Sequence, residues 1–265
     1  MSERQACKIV GLERSVKRYR AAPDRNEGLR ELLRAEAYRK PKYGYRMLWK
    51  VLKRKGHNVN HKRIERLYRE ENLSLRRKKR SKRVVRERTP LSVASQPNEH
   101  WALDFVHDCL WSGRRLRCLT IVDVYSRYAP AIEVDFSLPG ERVVRVLERL
   151  AFLRGLPAKI TLDNGPELIS KALVDWANKN GVVLDYIQPG KPMQNGFIES
   201  FNGTFRHECL DAHSFHSLLD ARTRIEKWRC EYNTERPHSS LGDWTPEEVE
   251  IDFYQRSGRY NGTNL

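Results

Sequence analysis

The spacing of apolar and polar residues changes character near residue 96. Before it, apolar positions recur every three or four residues, which is the period of an amphipathic helix. After it, short stretches that alternate every second residue, as strands do, are interspersed with longer stretches of helical period. The helical stretches of the first part are "DRNEGLRELLRAEAYRK", "GYRMLWKVLKRKG" and "HNVNHKRIERLYREENL".

The second and third of these stretches predict a helix-turn-helix-like unit. Gly56 lies in the turn, and Asn60 is a suitable N-cap for the helix that follows. Val59 and Ile64 occupy the positions of a hydrophobic staple across that N-terminus. Any small helical bundle has such turns, so this pattern alone does not establish DNA binding.

The part from residue 96 onward predicts an α/β domain. Strand-like stretches are "HWALDFVHDCL", "RLRCLTIVDVYSRYAPAIEV" (two strands), "PAKITLDN" and "VVLDYIQPG"; helical stretches are "GERVVRVLERLAFLRG", "PELISKALVDWANKNG" and "NGFIESFNGTFR". This order, β-β-β-α-β-α-β-α, predicts a mixed five-stranded sheet. We therefore divide the chain into a basic helical region with its linker (1–90), an α/β core (96–210) and a C-terminal helix and tail (211–265).

Charge is distributed unevenly between these regions. The chain has a net charge of +16, and residues 1–90 hold 30 Lys and Arg against 10 Asp and Glu, whereas the remainder holds 20 against 24. A basic region joined to a near-neutral body indicates a polyanion-binding module whose affinity falls with salt. The predicted DNA contacts are Lys62, Arg63 and Arg66 on the basic helix, and Arg76, Arg77, Lys78, Lys79 and Arg80 in the linker "LRRKKRSKRVVRERTP".

Other features of the composition narrow the class of protein. No apolar stretch is long enough to span a membrane, and the start "MSERQACKIVG" is not a signal peptide. Five cysteines, widely spaced and without a C-x-x-C pair, favour reduced thiols and no cysteine-based zinc site. We expect a cytoplasmic, nucleoid-associated protein with no membrane partner.

Three acids are candidates for a metal site. Asp104 lies inside the first strand, Asp163 ends the fourth, and Glu199 lies on the helix after the fifth, on the face opposite its aromatic residues. Carboxylates that meet at strand ends repel each other unless a cation neutralises them, and oxygen ligands alone select Mg²⁺ or Mn²⁺. Two such ions could activate a water or a 3′-hydroxyl and stabilise the leaving oxygen of a phosphodiester.

The spacing of these acids carries no weight by itself. Thirty-five residues separate Asp163 from Glu199, but 34 acids in 265 positions give any offset about a 13% chance of ending on an acid. The local sequences are more specific. "ITLDNGPE" followed by "QPGKPMQNGFIESFN" resembles the catalytic core of retroviral integrases and of the related bacterial insertion-sequence transposases. "WALDF" resembles the family's first-aspartate strand, and "YNTERPHSSLGDWTPEE" the tail of the insertion-sequence branch.

The resemblance covers about Pro97 to Glu248 and is strongest to the OrfB-type catalytic subunit. It implies a ribonuclease H-like core in which Asp104, Asp163 and Glu199 hold two Mg²⁺ (or Mn²⁺) ions. It further implies metal-dependent DNA cleavage and strand transfer without a covalent protein intermediate. The zinc module of retroviral integrases, with two His and two Cys, has no counterpart here.

Neighbouring polar residues have alternative interpretations. Asp108 would share a strand face with Asp104, so it competes for the role of first acid. Asp123 is more simply a hydrogen-bonded acid at a strand end, and Glu167 a first-turn acid favoured by the helix dipole. Asn164 and Gly165 suit a sharp turn after Asp163. We interpret His238 as a surface histidine, and predict DNA contacts from Asn195 and Arg206, which flank Glu199.

The resemblance also implies partners. They are DNA, both element ends and target, further copies of the chain assembled on it, and the product of an upstream reading frame, made as a fusion by ribosomal frameshifting. Two other functions fit the residues: a metal-dependent nuclease of the same fold, which cleaves and never joins, and a DNA-binding regulator with a structural acid cluster.

Overall fold

The computed structural model describes residues 1–20, 24–76, 94–188 and 195–258. Its helices are α1 (Glu3–Val10), α2 (Arg14–Arg18), α3 (Glu27–Arg39), α4 (Tyr45–Arg54), α5 (His61–Glu70), α6 (Gly140–Arg154), α7 (Lys171–Asn180), α8 (Gly196–Glu208), α9 (Leu218–Thr234) and α10 (Pro246–Arg256). Its strands are β1 (His100–Cys109), β2 (Arg115–Asp123), β3 (Ala131–Asp135), β4 (Lys159–Leu162) and β5 (Val183–Tyr186).

Helices α3, α4 and α5 form a small unit with its own hydrophobic cluster, as the sequence predicts. Gly56 takes a positive φ of 88° in the turn between α4 and α5, which a glycine accommodates without strain. Asn60 Oδ1 accepts a hydrogen bond from the Lys62 backbone N–H at 2.9 Å and so caps α5. Val59 packs against the cluster that contains Ile64, in agreement with a hydrophobic staple.

The five strands form one mixed sheet in the order β3-β2-β1-β4-β5, which confirms the predicted sheet. β2 is antiparallel to β1 and β3, whereas β4 is parallel to both β1 and β5. The strand β1 is therefore central.

Alternate residues of β1, β2 and β3 enter two separate hydrophobic clusters, whereas β4 and β5 contribute only to the cluster that contains α6 and α7. One face of the sheet, with Ala102 and Val106 of β1, packs against α8 and α9, and the opposite face packs against α6 and α7. At Gly140, the first residue of α6, a Cβ would lie 2.1 Å from Ser170 Oγ, so only glycine permits this close approach. The result is a three-layer α/β/α core, with Asp104 on the α8 face because it alternates with Leu103 and Phe105.

The prediction for Glu167 is wrong. Residues 165–169 form a separate turn, closed by the Leu168 and Ile169 backbone N–H groups donating to Gly165 O at 2.9 and 3.0 Å. Ser170 is extended, and α7 begins only at Lys171. Glu167 therefore lies outside the first turn of the helix, and it pairs instead with Arg117 of β2, whose hydrogen bond lowers the pKa of the Glu167 carboxyl.

The C-terminal helix α9 packs on the same face of the sheet as α8. Ala221, Ile225, Trp228 and Tyr232 of α9 join the hydrophobic cluster of Phe201 and Phe205. The division at residue 210 stays a prediction, but the core of this face extends across it. Within the described ranges, no helix is both long and apolar enough to cross a membrane.

His238 is buried, so the prediction of a surface histidine is wrong. Its ring lies edge-on to Tyr232 with 4.7 Å between centroids, because the segment around it folds back toward α9. Burial and the nearby Arg236 lower the pKa of His238 to about 3. His100 is also buried, with Nε2 2.7 Å from Thr161 Oγ1, and burial lowers its pKa to about 4.

We expect these two histidines to make the fold acid-sensitive. Their folded-state pKa values lie below the unfolded value of 6.5, so their contribution is fully present above pH 6.5 and is lost as the pH falls toward 4. Each contributes up to about 3 kcal/mol to the loss at pH 4. Urea unfolding between pH 7.5 and 4.5 should show a shallower decline for His238→Gln than for the wild type, whereas the exposed-residue control His216→Gln should follow the wild type. Equal slopes for all three proteins would contradict this.

Candidate active site

Asp104 is the most tightly held of the three predicted acids. Its Oδ1 accepts a hydrogen bond from the Phe105 backbone N–H at 2.8 Å, and its Oδ2 accepts one from Asn202 Nδ2 of α8, also at 2.8 Å. Burial raises the pKa of the Asp104 carboxyl, and the charges of Asp163 and Glu199 raise it further. The two hydrogen bonds lower the pKa of this carboxyl, and they also fix its orientation relative to the other two acids.

Asp163 directly follows β4, on the neighbour of the strand that carries Asp104. The parallel pairing of Ala102 with Thr161, continued by two residues, brings Asp104 level with Asp163. Parallel neighbours lie roughly 4.8 Å apart, and residues at the same level point to the same face. Asp163 Oδ1 accepts a hydrogen bond from the Gly165 backbone N–H at 3.0 Å, and Asn164 Nδ2 donates to Ile187 O at 2.9 Å. Both contacts fix the turn, as predicted for Asn164 and Gly165.

Glu199 lies in the first turn of α8 and is exposed. Ile198, Phe201 and Phe205 of the same helix are buried against the sheet, and Phe197 is partly buried beside Arg127. The apolar residues therefore fix the helix, and Asn202, on the same helix face as Glu199, contacts Asp104 of β1.

The three acids interact electrostatically, but their side chains do not converge on a single ion-binding position. Asp104 has its pKa raised by both other carboxylates. Even so, among the described residues no three His, Cys, Asp or Glu side chains are close enough together to hold one ion. The donor set itself, carboxylate oxygens that repel each other, suits a hard divalent cation. The residues therefore fit such an ion in chemistry, and the carboxylates would have to draw together around it.

Asn202 and Thr120 also contact Asp104, and neither is among the site residues predicted from the sequence. Thr120 is fully buried directly across from Asp104 on β2, and its Oγ1 lies 3.0 Å from Asp104 O and 2.9 Å from Asn202 Oδ1. Asn202 thus joins α8 to β1 and β2 through both ends of its amide. Its position three residues after Glu199, on the same helix face, was the available signal.

Asp123 is a structural acid, as predicted. It is 1% exposed and accepts hydrogen bonds from the backbone N–H groups of Asn98, Tyr125 and Ser126 at 2.6, 2.9 and 2.8 Å. Ser126 Oγ lies 3.0 Å from Asp123 Oδ1 and 2.8 Å from Oε1 of the fully buried Glu250. Arg154 Nη2 reaches both Glu250 oxygens at 2.7 Å. This network explains the burial of two carboxylates.

Asp108 shares the face of Asp104, and its Oδ1 accepts from the Cys109 backbone N–H at 2.8 Å. It lies further along β1, away from the turn that holds Asp163, whereas the charges of Asp163 and Glu199 raise the pKa of Asp104. The geometry therefore favours Asp104 as the first acid.

The predicted DNA-contact residues have different environments. Arg206 is exposed and donates to His107 O, whereas Asn195 is buried, and its Oδ1 has no hydrogen-bond partner in the described part of the chain. Arg63 donates to Asn26 Oδ1, and Arg66 lies 3.6 Å from Glu70. Lys62, Arg63, Arg66 and Arg76 are all exposed, and Arg77, Lys78, Lys79 and Arg80 lie outside the described residues.

The sequence matches three domain families. Residues 94–192 and residues 180–246 match two families that are both described as "Integrase core domain". Residues 23–81 match a family described as "HTH-like domain". These matches cover the helical unit and the α/β core, including all three candidate acids.

Several known proteins are similar over most of the chain. The insertion element IS407 uncharacterized 31.7 kDa protein of Burkholderia multivorans is 49% identical, covering 94% of this chain and 90% of that protein. The insertion element IS476 uncharacterized 39.2 kDa protein of Xanthomonas euvesicatoria is 42% identical, covering 96% of this chain and 73% of that protein. The transposase for insertion sequence element IS629 of Shigella sonnei is 25% identical, covering 82% of this chain and 76% of that protein.

Among solved structures, the chain resembles one from a simian T-cell lymphotropic virus intasome in complex with a PP2A regulatory subunit. The TM-score is 0.54 at 15% sequence identity, covering 83% of this chain and 74% of that one. At this identity the likeness concerns the fold alone, and it agrees with a ribonuclease H-like arrangement of the sheet and helices.

Proposed function

Because this chain belongs to the bacterial insertion-sequence transposases, with an integrase core and a helix-turn-helix-like domain, we propose that it cleaves the ends of its element and joins them to target DNA. The observation that carries this proposal is the environment of Asp104. Its carboxylate is oriented by Asn202 of α8 and has its pKa raised by Asp163 and Glu199. Such crowding of acids on one face of a sheet is typical of a cation site.

Asp104, Asp163 and Glu199 would hold divalent metal, two Mg²⁺ or Mn²⁺ ions in our proposal. When bound, these ions would lower the pKa of a nucleophilic hydroxyl or water and stabilise the charge on the leaving oxygen. The chain's own residues supply orientation. Asn202 holds the Asp104 carboxylate, the Gly165 backbone N–H holds that of Asp163, and buried Phe201 and Phe205 fix the helix that carries Glu199. The nucleophile is a water or a DNA 3′-hydroxyl and not a protein side chain.

The experiment incubates labelled element ends with Mg²⁺, a target plasmid and the protein. We expect nicked ends and, later, labelled ends joined to the target. Cleavage without any joined product would favour the metal-dependent nuclease. Binding without either product, across Mg²⁺ and Mn²⁺ concentrations, would favour a DNA-binding regulator and contradict the proposal.

Residues 1–90 would supply most of the affinity for DNA, through the exposed cations of α5 and the basic sequence of the linker. We also propose that the chain works as a homo-oligomer on DNA, because two ends must be joined to one target, and together with the product of an upstream reading frame as a frameshift fusion. The joining assay should therefore be run with the chain and with that fusion side by side.

We expect Asn202→Ala to reduce the cleavage rate by about 10- to 100-fold and to raise the Mg²⁺ concentration needed for half-maximal rate, because residues that orient metal ligands have effects of this size. Loss of the amide removes one of the two hydrogen bonds that orient the Asp104 carboxylate, and only the bond from the Phe105 backbone N–H remains. Metal titrations of single-turnover cleavage measure both quantities. Thr204→Ala, two residues further along α8 and therefore on roughly the opposite side of the helix, is the control. An Asn202→Ala protein with reduced rate but an unchanged Mg²⁺ dependence would argue against an orienting role.

A further inference from the structure

One side of the helical unit α3–α5 is neutralised by acids of the C-terminal region. Four cations form ion pairs with four acids. The cations lie on α3, directly after α3 and on α4, and the acids lie on α9, on α10 and in the segment between those two helices. We call these eight residues the charge dock: Arg39, Lys40, Lys50 and Arg54 on one side, and Glu235, Glu231, Asp243 and Glu248 on the other.

The first row of the dock joins the end of α3 to α9. Arg39 Nη1 lies 2.6 Å from Glu235 Oε2, and Lys40 pairs with Glu231. Glu235 directly follows α9, and its backbone N–H donates to Glu231 O at 2.9 Å, so the two carboxylates lie one helical turn apart on the same side. The side chain of Lys40 is only 12% exposed, which makes its pair one of the better shielded contacts of the dock.

The second row joins α4 to α10 and to the segment before α10. Arg54 uses Nη1 and Nη2 to reach both Glu248 oxygens, at 2.9 and 2.6 Å, and Lys50 donates to Ser239 Oγ at 2.9 Å and pairs with Asp243. Glu248 is itself fixed, because its Oε2 accepts from the Thr245 backbone N–H at 2.8 Å in the capping box of α10. Because the Glu248 carboxylate is already held, the bidentate contact from Arg54 fixes the orientation of α4 relative to α10 as well as their separation.

Among the described residues, none of the predicted DNA-contact cations belongs to the dock. Lys62, Arg63 and Arg66 lie on α5 and remain exposed. A cavity of about 790 Å³ lies between the helical unit and α8, and its lining includes Arg46, Arg69, Arg76 and His207. His207 directly follows Arg206 on the helix that carries Glu199. The cations of the helical unit are thus divided between a side that faces acids of the same chain and a side left available to phosphate.

We propose that the charge dock is a positioning surface, which holds the helical unit at a fixed place relative to α8 so that DNA bound by α5 is presented to the three acids. This rests on the proposed function. The dock leaves the DNA-binding cations of α5 uncovered, so its role is to set where the DNA is cleaved and not how tightly it is bound. Several exposed pairs are individually weak but act together, because all of them hold the same two parts of the chain.

Charge reversal and charge swap test this role. The reversed variant carries Glu231→Arg and Glu235→Arg, and the swapped variant adds Arg39→Glu and Lys40→Glu. A matched control carries Glu148→Arg and Asp175→Arg, two exposed acids of α6 and α7, and so has the same net charge as the reversed variant.

The first readout needs neither DNA nor activity. Amide hydrogen exchange at residues 36–42 and 228–236 should increase in the reversed variant and return toward the wild-type rate in the swapped variant, with no increase in the control. Exchange in the reversed variant equal to that of the control would show that the dock does not form, and would overturn the inference.

The second readout is single-turnover cleavage of an end-labelled element terminus. We expect the reversed variant to bind the end as tightly as the control does but to cleave at the correct phosphodiester roughly tenfold more slowly or worse, with products at neighbouring positions, because small displacements of a reacting group are costly. The swapped variant should recover both rate and position. Cleavage by the reversed variant at the rate and position of the control would overturn the positioning role alone. No cleavage by the wild type, as the chain or as the fusion, would instead overturn the proposed function.

Discussion

Asp104→Asn should abolish Mg²⁺-dependent strand cleavage and transfer while end binding and folding persist. Losing a carboxylate ligand removes several kcal/mol of charge stabilisation in the transition state, which corresponds to a decrease of about a thousandfold or more in rate. Asp163→Asn and Glu199→Gln should have effects of the same order. Single-turnover cleavage of labelled ends, with end binding measured by gel shift, separates chemistry from recognition.

The matched control for this series is Asp108→Asn, on the same strand and the same face as Asp104, which should retain cleavage within a few-fold of wild type. The Asp104→Asn protein should be no less stable than wild type, because burial and the neighbouring acids raise the pKa of that carboxyl and so make its charge unfavourable to folding. Near-normal turnover by any of the three variants would remove that residue from the site. A lower unfolding midpoint for Asp104→Asn would show that the carboxylate is structural.

Arg154→Met should destabilise the fold by about 3–5 kcal/mol, because it leaves the carboxylate of Glu250 buried without its counter-charge. Glu250 is 0% and Asp123 1% exposed, and Arg154 Nη2 contacts both Glu250 oxygens. Urea unfolding at pH 7.5 measures the loss. Arg149→Met, on the same helix, is the control. Arg149 pairs with Glu133 at 3.0 Å but is half exposed, so its loss should cost at most about 1 kcal/mol.

The pH dependence of this loss has a definite sign. Burial raises the pKa of both the Asp123 and the Glu250 carboxyls, and removal of Arg154 raises the pKa of Glu250 further. An acid whose folded pKa exceeds its unfolded pKa contributes stability at low pH that is lost as the pH rises through the folded value. The deficit of Arg154→Met relative to wild type should therefore shrink between pH 7.5 and pH 5, and in Arg154→Met/Glu250→Met it should largely disappear. A deficit that is constant with pH would assign the effect of Arg154 to its packing over Tyr128, 4.3 Å away, instead of to its charge.

The features that the sequence predicts well are those set by the local spacing of apolar residues and by helix-capping residues. The helix-turn-helix-like unit follows from the spacing of its apolar residues and from Asn60, and the strands from alternation around Asp104 and before Asp163. The positions of the three acids followed from a resemblance in local sequence, since their spacing alone is common by chance.

The contacts that the sequence analysis missed join residues far apart along the chain. Asn202 meets Asp104 and Thr120 only because α8 crosses the sheet, and no local pattern encodes that crossing. Similarly, His238 looked like a surface residue because polar neighbours surround it in the sequence, whereas the aromatic ring of Tyr232 buries it. The start of α7 was predicted too early because the turn at 165–169 has helix-like composition, and only its hydrogen bonds to Gly165 distinguish it.

The strand order β3-β2-β1-β4-β5 also sets the sequence in which the site can form during synthesis. The antiparallel strands β1, β2 and β3 are consecutive along the chain, so Asp104 enters a sheet whose pairing is local. Asp163 joins only after α6 has crossed over to bring β4 parallel to β1, and such non-local pairing is slower to form. Glu199 comes last, with α8. A chain emerging from the ribosome N-terminus first can thus complete its helix-turn-helix-like unit while the third acid is still untranslated. Under the proposed function, the nascent protein would therefore be able to hold DNA before it could cut it.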